Sequence, residues 1–157
     1  MPISAVSYLV PIHRVDFQSP MAPAEVRAHL QSVVETKQHW WHRPVGKEFL
    51  GVVDSKGFRI MRIIRGRNTY LPWLLGEVTP TDLKGSRVKV LMILHPIAIF
   101  VMLAFFGFAL QPSMAPPNLR WLPIGLLMAF HIAMCVFGFV PEARRVEKQL
   151  HQLLAAG

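Results

Sequence analysis

Two stretches, residues 90–110 and 121–140, contain no Asp, Glu, Lys or Arg. Each is about as long as the ~20 apolar helical residues that cross the hydrocarbon core of a bilayer. The link between them, Gln111 to Arg120, is polar and holds Pro112, Pro116 and Pro117. A chain of 157 residues has room for one modest core beside such a pair, not for two. The pattern predicts a two-helix transmembrane hairpin over residues 90–140. Trp121 opens the second helix with a side chain suited to the membrane–water boundary. The first helix is less comfortable. Started at Pro96 and ended near Gln111, it spans only about 24 Å at ~1.5 Å per residue.

The remainder is basic. Residues 1–89 hold 13 Lys and Arg against 7 Asp and Glu, a surplus of six. A basic balance fits nucleic acid, acidic partners or an anionic leaflet. Beside a membrane hairpin the leaflet is the cheapest explanation, and no nucleic-acid partner is expected. Lys84, Arg87 and Lys89 precede the first apolar segment, and Arg144, Arg145 and Lys148 follow the second. The link has only Arg120. By the positive-inside rule both termini face the cytoplasm, and these six cations are the expected leaflet contacts. The N-terminus lacks the basic region of a signal peptide, so no cleaved signal is expected. The single cysteine, Cys135, rules out an intrachain disulfide.

Taken in order, residues 3–17 read as an extended segment and Pro23–Gln38 as a helix with Val26, Leu30, Val33 and Val34 on one face. Residues 47–94 read as an antiparallel β-meander punctuated by turns at 54–57, 65–68 and 80–86. After Pro141, the residues Ala143, Val146, Leu150, Leu153 and Leu154 share one face of an amphipathic helix. The expected architecture is an α+β membrane protein in three parts. A cytoplasmic α+β domain occupies 1–89, the hairpin 90–140, and a C-terminal helix packing on that domain 141–157. Helices flanking a curved sheet also allow an apolar cavity, as in helix-grip lipid-binding folds, although that is analogy at the level of fold.

Gly51-Val52-Val53, Phe58-x-Ile60-x-Arg62, Gly66-Arg67-Asn68-Thr69-Tyr70-Leu71-Pro72, Gly76 and Leu94-His95-Pro96 together resemble an uncharacterised family of small bacterial membrane proteins. Members carry an Arg-Asn-Ser/Thr-aromatic-Leu-Pro motif in a soluble α+β domain, then a transmembrane hairpin and a short helix. The resemblance implies that architecture and a bacterial inner membrane. It implies no activity and no cofactor.

Ionisable residues inside a membrane are candidate functional residues by default, which singles out His95 and His131. A bis-imidazole haem is the sharp reading. Unequal depth opposes it, because His95 sits where the chain enters the bilayer and His131 near its middle. A helix cap at His95 is the simpler role. Gly125, Ala129 and Ala133 form a small-residue stripe, and Gly107 lies at similar depth, so these four are expected to pack the two helices. His131 then points away, either tolerated there with a hydrogen bond to backbone or turned toward a second copy of the hairpin. Arg67 and Asn68 form a polar turn suited to an anionic group or simply to turn geometry. No metal site is spaced for ligation. Two functions fit these residues. One is a non-enzymatic membrane protein whose cytoplasmic domain binds a partner protein or lipid. The other is a membrane enzyme or haem carrier using the intramembrane histidines.

Overall fold

The computed structural model describes residues 10–36, 46–63, 71–81, 85–109, 111 and 121–155. Among these residues six strands form one sheet: β1 (Ile12–Ser19), β2 (Val34–Glu35), β3 (Phe49–Val53), β4 (Phe58–Arg62), β5 (Pro72–Pro80) and β6 (Ser86–Leu94). Their order across the sheet is β1-β6-β5-β4-β3-β2. Strands β3 to β6 pair antiparallel in sequence, and β1 returns to the edge beside β6. The last strand, β2, lies parallel to β3. The sheet is therefore mixed rather than the plain meander expected from the sequence. Helix α1 (Pro23–Val33) causes this by carrying the chain across one face to the opposite edge. It also ends five residues earlier than its apolar spacing predicts. Val34 has already turned extended, at φ −98° and ψ 127°, as β-branched residues prefer.

Alternation decides which residues meet the helices. Phe49, Ile60, Leu74, Met92 and Leu94 point to one face and are fully buried. Against them pack Val26 and Leu30 of α1 and Ala143, Val146, Leu150 and Leu154 of the C-terminal helix α4 (Val140–Ala155), also fully buried. These side chains fill the space between helices and sheet.

Helices α2 (Pro96–Ala109) and α3 (Leu122–Met134) touch each other, but they are not a matched pair of spans. With 14 residues, α2 is about 21 Å long at ~1.5 Å per residue. Residues 90–94, counted from sequence both in the last strand and in the first apolar segment, belong to β6. They are apolar because Val90, Met92 and Leu94 fill the sheet core. From α3 the chain continues without a break through a π-helical turn, Cys135–Phe139, into α4. The resulting helix runs from Leu122 to Leu154, 33 residues, or about 50 Å. Among the described residues it alone is long and apolar enough to cross a membrane. The C-terminal helix drawn separately from the sequence is thus its lower half.

The π turn has a local cause. Proline lacks an N–H, and its ring crowds the carbonyl four residues back. For Pro141 that residue is Phe137. The wider turn lies over that position, with the Val140 N–H donating to the Cys135 carbonyl, five residues back.

Candidate functional site

Helix α4 is tied to the sheet by polar contacts that lie around its apolar stripe. The Arg62 guanidinium, on β4, donates to Glu142 Oε2 at 2.8 Å, and Arg145 donates to Oε1 of the same carboxylate at 2.8 Å. Glu142 is buried and needs both partners, since an unpaired buried charge is costly. One helical turn and a half further on, Glu147 Oε2 lies 3.0 Å from Nε2 of the buried His13 on β1. At the far end the Ser19 hydroxyl donates to the Leu154 carbonyl at 2.5 Å. The lower half of the long helix is therefore held along its length to β1 and at one point to β4.

The other face of the sheet is not covered by a described helix. Register sorts its side chains into rows. Nearest to α2, Ile12, Ile93, Trp73, Met61 and Leu50 stand opposite one another across five strands, and all are apolar. The next row is Arg14, Leu91, Leu75, Arg59 and Val52. Below it come Asp16, Lys89 and Glu77, then Gln18, Arg87 and Thr79. A shallow groove crosses the lower rows, lined among others by Arg14, Lys56, Arg59, Glu77 and Lys89. The face grades from apolar to charged with distance from α2. Sequence shows the alternation within each strand but not this alignment, which depends on register.

His95 lies at the junction of β6 and α2. Its Nδ1 accepts the Ile97 N–H at 3.2 Å, and its carbonyl accepts the N–H groups of Ala98 and Ile99. It caps α2. Its ring also tilts against the Trp73 indole, 5.2 Å between centroids. His131 is turned inward rather than toward lipid. It is buried, and its Nε2 lies 3.5 Å from Sγ of Cys135, one turn on and fully buried. The expected packing stripe is reversed as well. Nothing lies within 4 Å of a Cβ built on Gly107 or Gly125, and Ala129 is exposed while Ala133 is half-buried. On α2 and α3 the covered positions are others: Ala98 is buried in the core, and Met102, Phe106 and Leu127 are half-buried.

The expected leaflet cations separate. Arg144, Arg145 and Lys148 are exposed on α4 just past Pro141. Arg87 is seven residues from Leu94 along β6, about 23 Å at ~3.3 Å per residue, and Lys89 about 17 Å. Arg87 instead makes two hydrogen bonds to the Asp16 carboxylate, at 2.8 and 2.7 Å. Arg67, Asn68 and Lys84 lie outside the described residues. Among those described, no group of three or more His, Cys, Asp or Glu converges to hold a metal.

The Asp16–Arg87 pair carries a pH prediction. Hydrogen bonding to Arg87 holds the Asp16 carboxyl below its ordinary value. Its contribution to stability is then present at neutral pH and is lost as pH falls below about 4, the ordinary carboxylate range. Asp16→Asn is expected to unfold slightly more easily than the parent at pH 7. The difference is expected to close on acidification, followed by denaturant titration at each pH. A gap that persists unchanged into acid contradicts the assignment.

Comparison with protein-family models, with curated proteins and with solved structures finds no match to this chain.

Proposed function

We propose that this is a non-enzymatic protein of a bacterial inner membrane that holds its sheet at the cytoplasmic surface, where the sheet binds lipid or a partner protein. The long helix carries the reading. Its upper half exposes Leu122, Leu126, Phe130 and Phe137, the last at 80%, and α2 exposes Phe100, Leu103, Phe105 and Phe108 beside it. Apolar surface on this scale marks a membrane or interaction surface. Its lower half is amphipathic and locked to the sheet. If α3 crosses the bilayer, the chain between Leu94 and Trp121 makes the opposite crossing, because β6 and α4 lie on the same side. What supports a binding role is the use made of polar groups: Glu142, Glu147 and His13 fasten the helix. The rival haem reading draws no support from the histidines, since His95 caps α2 and His131 faces Cys135.

The test is topology. In a Cys135→Ala background, single cysteines replace Ser113 in the link and Lys148 on α4. A membrane-impermeant maleimide is expected to label position 113 in intact spheroplasts and position 148 only after lysis. The protein is expected to stay in the membrane through an alkaline carbonate wash. Release by the wash, or labelling of both positions from the same side, refutes the proposal.

A further inference from the structure

We infer that the membrane-proximal end of the open sheet face sits in the headgroup layer, with Arg14 and Arg59 binding lipid phosphates. The inference rests on the membrane reading above and adds the partner, its chemistry and the two residues that meet it.

Depth is the first argument. Residue Leu94 ends β6, and α2 starts two residues later at Pro96. Arg14 stands opposite Leu91, three residues short of Leu94, or about 10 Å along the strand at ~3.3 Å per residue. Arg59 shares that row through Leu75. The polar layer on each side of a bilayer is about 5–8 Å thick, from a ~30 Å core within a ~40–45 Å membrane. Arginine bends its long stem toward an interface while its head stays wet. A strand leaving the membrane at Leu94 therefore presents this row to the phosphates, and the Arg87 row falls beyond their reach.

Chemistry is the second. The row above is wholly apolar and includes Trp73, whose amphipathic ring suits the headgroup boundary. The row itself holds two arginines with leucines between them and no acid. Acidic side chains begin one row lower, at Asp16 and Glu77. Among the described residues neither Arg14 nor Arg59 forms an ion pair, whereas Arg62, Arg87 and Arg145 do. The guanidinium fork matches phosphate oxygens two at a time. Apolar, then cationic, then mixed is the order that a wall standing on an anionic leaflet meets.

The full-length protein with Cys135→Ser is reconstituted into vesicles of mixed phosphatidylglycerol and phosphatidylcholine. A fluorophore is placed at Val52→Cys, in the arginine row and 45% exposed, or at Gln18→Cys, two rows lower. Lipids carrying a nitroxide on the headgroup are expected to quench position 52 several-fold more than position 18. Changing Arg14→Gln and Arg59→Gln together is expected to bring position 52 down to the level of position 18. Equal quenching of 52 and 18 in protein that withstands an alkaline wash overturns this inference and leaves the membrane reading standing. Quenching at 52 that the double variant leaves unchanged overturns the role of the arginines. Loss of the protein in the wash overturns both readings.

Discussion

Inserting one alanine between Val140 and Pro141 is expected to unfold the sheet domain without removing the protein from the membrane. Each residue added to a helix rotates the segment beyond it by about 100°, at 3.6 residues per turn. The insertion leaves α3 in place and swings the buried face of α4 off the sheet. Val146, Leu150 and Leu154, all fully buried, would leave the core. At about 1.5–3 kcal/mol for each large apolar side chain, their loss is about 5–9 kcal/mol. That is comparable to the whole stability of a small domain, about 5–15 kcal/mol. The insertion also takes Glu142 from Arg62 and Glu147 from His13. Limited proteolysis of reconstituted protein is the readout, with rapid cleavage of the sheet expected. Deleting Phe137 as well restores the angle between the two halves and is expected to restore protection. An insertion variant as resistant as the parent shows that α4 does not hold the sheet.

A second large effect is expected at Gly76 on β5. A Cβ built there falls 2.0 Å from Cζ of Phe58 and 2.3 Å from the neighbouring ring carbons. The Phe58 ring lies on the space a side chain would take, and it is itself buried at 3% exposure. Relief by moving the ring meets a core with no slack, because Ile60, Leu74 and Val88 nearby are fully buried. Gly76→Ala is expected to cost about 1–3 kcal/mol, the usual range for forcing extra volume into a packed core. Phe58→Leu shortens the obstacle, so the double variant is expected to lose less than the sum of the two single changes. Denaturant unfolding of all four proteins closes the cycle. Strict additivity rules out the Gly76–Phe58 contact as the reason for the glycine.

Much of the architecture is legible in local patterns. The charge-free stretches announce an apolar helical region, and the face Ala143, Val146, Leu150 and Leu154 is read correctly from spacing alone. So are the strands, since alternation such as Val88, Val90, Met92 sets their buried side. The misreadings occur where one local pattern serves two ends. Residues 90–94 are apolar for the sheet core, so the apolar run they extend is longer than the helix that starts at Pro96. Val33-Val34 continues a helical stripe, yet its β-branched side chains pass the chain to β2. Pro141 looks like the end of one helix and the start of another, and a π turn carries the helix through it.

The candidate site was far less legible. Arg14 and Arg59 are 45 positions apart in the sequence, and nothing in either segment says that they share a row. The small-residue stripe at Gly125 and Ala129 predicts a contact by periodicity, but which side of α3 is covered depends on where α2 descends. That is why His131 and the stripe exchange places, buried for exposed. Composition and periodicity determined the element types, the apolar region and the surplus of positive charge, because these arise from side-chain chemistry at short range. Strand register, the side on which helices meet, and the continuity of α3 into α4 were decided by tertiary structure. Each depends on which distant side chains compete for the same core volume.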